Sequence, residues 1–483
     1  MFGPTPLIPS SDRLSLQGLG LLSLGGSSDE QRYTAVYETV IAFDCITGGT
    51  DTQAADGVMQ DYHAKIIAEG CNNEFPLRDL VNRIDASGDF AGGRGTKWKF
   101  HHSRNVSPMA TREKAAFAVS GKQGYTEGEI TQRKIMARVG GSYEVFKDTM
   151  SRDAAAVDVQ KDEMNRLIDD IAFREEFYCA TDGRGIMALL SDDPGTGTDV
   201  DVDSPGNISG TDFGNRFFQE EMYVAAIDPA TGTIRSGVAQ VSSIGADGTD
   251  WTSAAAINSA WADNDYLVQA ANGSVTSALD TSYEAAPWGL TAHIDDGTFR
   301  DNYHGVLRSV HAAAKSYVVS STGALSTDLL QRVADVVYQK LGGKIDLLCC
   351  HSAIRRLIIQ LTEADRRYSG ASLMKPDPGT AAFSQGDITM GEVPIKAIRS
   401  LGVTQLFMMD SKGIGLKKYV SEEGKWVDDL DGSIWVRDGV GTNATDSKEA
   451  WYRRRYQYAV TAPGKAARLD AITGSTLVVV RAY

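Results

Sequence analysis

Cys349-Cys350-His351 sets two thiols beside an imidazole, the pairing that nucleophilic cysteine chemistry requires. The triplet closes an apolar run, Ile345 to Cys350, and successive strand side chains point to opposite faces. These residues therefore predict core cysteines followed by a histidine at a helix start. Gly183-Arg184-Gly185 has glycines that could cradle a phosphate. It follows a helix, however, whereas a dinucleotide fingerprint runs strand, glycine-rich turn, helix. Asp192, Asp193, Asp199, Asp201 and Asp203 offer the oxygen ligands that Ca²⁺ favours, but the EF-hand spacing and its closing Glu are missing, so the stretch reads as a solvated acidic loop. His101-His102 has no carboxylate or third His at metal-ligand spacing. Arg453-Arg454-Arg455 reads as a charged strand face, with contact to nucleic acid or to a neighbour's carboxylates as the alternative. No GxSxG, HExxH or P-loop occurs. The sequence assigns no catalytic, cofactor-binding or metal-binding residue.

The elements around these residues are more telling. Asp153 to Ala180 carries no Pro or Gly, which at 1.5 Å per residue makes a rod of roughly 40 Å. Val157, Met164, Leu167, Ile168, Ile171 and Ala172 mark one narrow apolar face, and the remainder is mostly charged or polar. That pattern predicts a helix lying along a surface, not a core element on all sides. Asp182 to Gly185 ends it.

The 483 residues suffice for two to four compact units. The balance of 48 Lys+Arg against 63 Asp+Glu, a net charge of −15, argues against a dedicated nucleic-acid binder, whose affinity comes from phosphate neutralisation. It leaves room for a surface that faces nucleic acid without adhering. Five scattered cysteines without a CxxC read as reduced, buried thiols made in a cytoplasm. No apolar run is long enough to span a membrane. The N-terminal stretch lacks the basic region of a signal peptide.

Along the chain, residues 1 to about 32 read as an extended arm, broken by Pro4, Pro6 and Pro9 yet heavy in Leu. Met59 to Ala68 reads as a helix. Thr96 to Tyr143 reads as an elongated antiparallel hairpin: Thr96 to Val106, Ala116 to Val119 and Gln132 to Val139 are its strands, and the polar Gly121 to Glu129 is its flexible tip. It holds too little apolar area to stand alone, so it must lie against something. Met222 to Leu279 is β-like, with a turn at Asp228 to Gly232. Ser326 to Leu341 is a compact helix with one stripe (Leu329, Leu330, Val333, Val336, Val337, Leu341), capped by Ser326 or Thr327 and stopped by Gly342-Gly343. Ile345 to Cys350 follows as a strand, then a helix from Ala353 to Leu361. Val393 to Ile398, Gln405 to Asp410, Gly415 to Val420 and Thr476 to Arg481 are strand candidates. The fold class is α+β around a central sheet.

This order of elements resembles the major capsid proteins of tailed bacteriophages with the Hong Kong 97-type fold. The residues that carry the likeness are Thr181 to Leu189, similar to the glycine turn that ends the family's spine helix; Val224 to Gln269, similar to its peripheral strands; Pro287 to Leu290 with Ile294 to Thr298, similar to the passage into its axial domain; Ser326 to His351; and Gly391 to Ile395. The order covers most of the chain, although each motif alone is loose. The resemblance implies an N-terminal arm and linking segment over 1–95, an extended hairpin loop over 96–148, a spine helix and turn over 149–186, a peripheral β-rich domain with an insertion over 187–300, and an axial α+β domain over 301–483 whose late strands could return to the peripheral one.

It further implies a non-enzymatic protein that assembles through pentamers and hexamers into an icosahedral shell around double-stranded DNA, in a virion capsid built in the host cytoplasm. Its partners would be other copies of itself, portal, scaffolding and decoration proteins, and packaged DNA touching the inner face without specific binding; a membrane would not be one. No long charged scaffold-like segment begins the chain, so scaffolding would be removed or supplied by another protein. Some relatives join a loop Lys to a neighbour's Asn or Asp by an isopeptide bond. Lys114 and Lys122 lie in the matching element, where the residues by themselves read as two solvated lysines. Two rival readings stand beside it: an encapsulin-like compartment shell, which shares the fold but encloses enzymes, and a cytoplasmic enzyme of unknown class.

Overall fold

The computed structural model describes residues 75–85, 95–142 apart from 115, 159–208, 213–368, 388–390, 393–410, 416–427, 433–437 and 447–474. The expected arm, the Met59 to Ala68 helix, the first turn of the long helix with Val157, and the Thr476 to Arg481 strand lie outside these residues.

A short helix α1 (Pro76–Leu80) leads to β1 (Asn82–Asp85), β2 (Gly95–Ser103), β3 (Gly124–Thr131) and β4 (Arg133–Ser142). β2 and β3 form a two-stranded antiparallel ribbon, Thr96 opposite Ile130 and Phe100 opposite Thr126. The sequence expectation is corrected here in three respects. Gly121 to Glu129 is not the tip, because Gly124 onward pairs with β2. Ala116 to Val119 is not a strand. Gln132 to Val139 is one, as part of β4, but it leaves the ribbon and pairs with β21 (Ser447–Val460), Arg133 opposite Tyr456 through Ser142 opposite Ser447. That pairing joins residues over 300 positions apart, beyond the reach of a local reading. β21 also pairs β19 (Leu416–Trp426) and β20 (Val436–Arg437), and β19 carries β1 on its far edge.

Helix α2 (Val159–Ala180) is the long helix. Met164, Leu167 and Ile168 are half-buried, in keeping with a surface stripe. From Ile171 onward the narrow stripe gives way: Glu175, Glu176, Phe177, Tyr178, Cys179 and Ala180 are all buried. The last turns are core on every side, contrary to the expectation, because their two carboxylates find distant partners.

β5 (Ile186–Leu190), β6 (Asp199–Asp203), β7 (Tyr223–Ile227), β8 (Ile234–Ile244), β9 (Asp250–Ser253) and β10 (Tyr266–Gln269) close into a barrel in the order β10-β5-β6-β9-β8-β7. Closure removes the exposed edges that six short strands would otherwise present. Inward side chains fill it, among them Trp251, Trp261, Phe218, Val200, Val202 and Leu267. The predicted acidic loop is therefore partly strand: in Asp-Val-Asp-Val-Asp the valines face in and Asp199 and Asp201 face out.

A single helical turn α3 (Leu290–His293) and the hairpin β11 (Asn302–Tyr303) and β12 (Val306–Leu307) lead onward. Next come β13 (Tyr317–Val319), β14 (Gly323–Ala324), α4 (Thr327–Leu341), β15 (Leu347–Cys350), α5 (Ser352–Tyr368), β16 (Ile388–Met390), β17 (Val393–Ala397) and β18 (Leu406–Met409). After β21 come β22 (Ala467–Leu469) and β23 (Ile472–Thr473). A six-stranded mixed sheet runs β13-β22-β18-β15-β17-β16. Ser326 caps α4 by accepting the Leu329 N–H, and Gly342 ends it at φ 68°. Of its stripe, Leu330, Val333 and Val337 are buried, whereas Leu341 is exposed. Leu348 and Cys350 face α4 and α5; Leu347 and Cys349 face the end of α2.

Candidate functional site

The ribbon β2–β3 is fastened at its base and along its length to the segment 303–314. The Glu129 N–H donates to the His304 carbonyl at 2.7 Å, and Trp98 Nε1 donates to the same oxygen at 3.3 Å. Phe100 packs with Val306 and Ala314 in a small cluster, and Trp98 meets Tyr303 edge to face. Gly128 is required there, since a Cβ would lie 2.4 Å from the His304 carbonyl oxygen. Midway, Thr126 Oγ1 and His311 Nε2 are 3.1 Å apart, and the His102 ring lies 4.5 Å from that of His311. His101 points the other way, toward Gln123 and Tyr125. The two histidines thus diverge, and among the described residues no group of three His, Cys, Asp or Glu could hold a metal ion.

Beyond the base the ribbon ends in a 104–123 loop whose apolar side chains stand in water: Phe117 is 94% exposed and Val119 87%, with Val106 and Met109 also exposed. Arg104, Arg112, Lys114 and Lys122 are exposed among them, against one acid, Glu113. Four exposed apolar side chains grouped on one short loop are the kind of surface that interaction sites present. Sequence reading placed the ribbon but put its tip elsewhere, and so missed Phe117 and Val119.

The end of α2 is the second anchor. Glu175 lies 3.1 Å from Arg78, 3.0 Å from Lys418 and 3.0 Å from Arg454. Glu176 accepts the N–H groups of Leu77 and Arg78 and the Ser400 hydroxyl. Burial still holds its carboxyl above the usual range. One helical turn therefore ties α1, β19, β21 and the turn before β18 together. The Arg triplet is corrected accordingly. Arg453 forks onto Glu422 at 2.8 and 2.9 Å, and Arg455 approaches the same carboxylate. Arg454 turns inward to Glu175, so the three form no single basic face.

The turn Asp182 to Gly185 is a structural knot. Gly183 and Gly185 sit at φ 78° and 76°, and a Cβ on Gly185 would lie 2.1 Å from the Ser282 carbonyl oxygen. Asp182 is buried and accepts from the Arg184 N–H and Asn207. Arg184 donates to the Phe299 carbonyl, and Arg300 to the Asp182 carbonyl and to Glu284. Nothing about it is open for a phosphate.

A third knot was not anticipated. Asp295 and Arg308 are fully buried 3.4 Å apart, and Arg308 also donates to the carbonyls of Ala292, His293, Arg300 and Ala314. Arg468 approaches Asp295 at 3.5 Å and bonds Asp470. Asp295 lies in the Ile294 to Thr298 stretch, which the sequence marked only by its likeness to a family passage, and the arginines come from elsewhere in the chain.

Cys179, Cys349 and Cys350 are free and buried. Burial pushes the Cys350 thiol up to about 12 and Cys349 higher still, so neither is a thiolate near neutrality. Burial, then Arg216, pushes His351 down to about 3. Its Nδ1 accepts the Ala353 N–H at the start of α5. Core cysteines and a helix-start histidine are what the structure holds.

A long helix, an outreaching ribbon and strand-rich units packed at the helix end make up a capsid-like fold. The chain is similar to the capsid asymmetric unit of cyanophage A-1(L), with a TM-score of 0.51 and 9% identity over 86% of this chain and 98% of that one. The capsid of a native GTA particle gives 0.45 at 11% identity over 88% and 100%. The holo-SrpI encapsulin complex of Synechococcus elongatus gives 0.40 at 11% over 88% and 97%. No protein-family profile matches the sequence, and no curated protein does. Among the described residues no helix is long and apolar enough to cross a membrane.

Proposed function

We propose that this chain is the structural subunit of a self-assembling protein shell, a capsid protein of the Hong Kong 97 type that encloses double-stranded DNA. The observation that carries the reading is the ribbon: its base is locked to its own chain, while its tip holds Phe117 and Val119 out in water. A monomer gains nothing from that arrangement, whereas repeated contacts between copies bury the tip at every interface. The closed barrel and mixed sheet support it as rigid bodies that leave few free edges. The acidic balance suits a lining that does not hold DNA. The proposed division runs as the resemblance implies: arm 1–95, hairpin loop 96–148, spine 149–186, peripheral domain 187–300, axial domain 301–483. Portal, scaffolding and decoration proteins are its expected partners, in a virion assembled in the host cytoplasm.

Negative-stain microscopy of the purified protein tests this. Rings or closed shells are expected; uniform small particles at high concentration overturn it. Nuclease-protected DNA in shells purified from the native source separates a virion capsid from an enzyme-filled compartment.

A further inference from the structure

We propose that His102 and His311 form a binding site for a divalent late transition-metal ion, Cu²⁺ or Ni²⁺, which staples the ribbon to the segment after β12 whether or not the chain builds a shell. In the sequence His101-His102 has no third histidine or carboxylate at ligand spacing. The fold brings His102 a partner from far along the chain instead. Its ring lies 4.5 Å from that of His311, with the two planes 38° apart.

Both rings are held in place. His102 sits in the register shift between His101 and Ser103. A Cβ on Gly124 would lie 2.6 Å from His102 Cε1 and 3.0 Å from Nε2, so the bare backbone there lets the ring rest against β3. The His311 N–H donates to the Leu307 carbonyl at 3.0 Å, and the His311 carbonyl accepts the Ala314 N–H at 2.9 Å. His311 Nε2 lies 3.1 Å from the Thr126 hydroxyl. An oxygen partner on one ring nitrogen is what orients a ligating imidazole through the other. At metal–nitrogen bonds of about 2.1 Å, two imidazoles at right angles on one ion have ring centres roughly 4.5 Å apart, against about 5.3 Å at tetrahedral angles. The observed separation matches the right angle, which belongs to the tetragonal geometry of Cu²⁺ and Ni²⁺. Among the described residues no carboxylate pairs with either ring, so Mg²⁺ and Ca²⁺ lack the charged oxygens they favour. Both side chains are half-buried, which leaves water to complete the coordination. The other described histidines do not compete: His293, His304 and His351 are buried, and His101 faces Gln123 and Tyr125.

The test is isothermal titration of NiCl₂ into the full, untagged chain at neutral pH. Wild type should bind one ion per chain with a micromolar Kd. His102→Asn and His311→Asn should each weaken binding at least about tenfold, whereas His101→Asn should leave it unchanged. MgCl₂ should give no heat of binding. Cu²⁺ at one equivalent on the wild type should give an electron paramagnetic resonance spectrum with two coordinated imidazoles, a readout that needs no variant to fold. Hydrogen–deuterium exchange over β2 should slow with Ni²⁺ in the wild type and not in His311→Asn. Binding no tighter than millimolar, an affinity that neither His102→Asn nor His311→Asn lowers, or a spectrum with fewer than two imidazoles overturns the site. The shell reading is judged separately by microscopy and stands in either case.

Discussion

Replacing Glu175 by Gln removes a charge and keeps the shape. Three cations converge on this carboxylate at 3.0 to 3.1 Å. Arg78 is a third exposed and relaxes into water, but Lys418 and Arg454 are largely buried. Burial already holds Lys418 below its ordinary value despite the carboxylate beside it. Taking one partner from a buried pair costs about 3–5 kcal/mol, because the other charge is left uncompensated. At 1.4 kcal/mol per decade, amide exchange through local opening should accelerate by roughly 10² to 10³ in the last turns of α2 and the facing half of β21. Hydrogen–deuterium exchange on unassembled protein, read on peptides covering 171–180 and 450–458, measures this. Arg332→Gln, which breaks an exposed pair with Asp328, serves as the control and should change exchange less than about threefold. Adding Lys418→Met to Glu175→Gln should return at least about 1 kcal/mol, since the stranded charge goes with it. A change at Glu175→Gln no larger than the control refutes the idea that this carboxylate ties the helix end to the sheets.

Stability should fall on mild acidification. Burial holds His293 well below its usual value and His304 and His351 at about 3. Their contribution is present above the unfolded value of about 6.5 and is lost as pH falls toward 3, near 2 kcal/mol per group between pH 7 and 5. The raised carboxyls of Glu176, Asp182 and Asp470 act with the opposite sign. His351→Asn, which keeps a cap for α5, should therefore make the chemical-denaturation loss shallower than wild type by about that amount. Leu167→Asp puts a charge on the half-buried stripe of α2 and should block assembly or folding; normal particles under the microscope would place the stripe in solvent. Gly185→Ala, forced against the Ser282 carbonyl at positive φ, should cost at least about 2 kcal/mol in urea titration. A single monomer-mass band from mature particles would exclude an isopeptide bond at Lys114 and Lys122.

Local signals were legible and distant ones were not. Helix α4 could be read to its cap because Ser326, the apolar stripe and Gly342 lie within one stretch. The capsid-like order could be read because it is an order of such stretches. The barrel could not: Met222 to Leu279 read only as β-like, and closure draws in β5 and β6 from the far side of a long loop to bury Trp251 and Trp261. Glu175 and Glu176 looked solvent-facing because the cations and N–H groups that neutralise them come from α1, β19 and β21. β4 was assigned to the ribbon because its true partner lies at the other end of the chain. The hydrophobic period that marks a surface helix is silent about polar residues buried in pairs.

The pivot at His304 makes the ribbon a lever. From Trp98, opposite Gly128, the strand runs on to Ser103, an arm of about 17 Å at 3.3 Å per residue, and a tilt of about 5° at Gly128 and Gly305 would carry that end roughly 1.5 Å. If the chain forms the proposed shell, rings of five and of six copies would differ by small angles between neighbours. The shortest hydrogen bond at the base would then limit how much curvature one sequence can accommodate, and a methyl group added at Gly128 would be felt most where no atom had been changed.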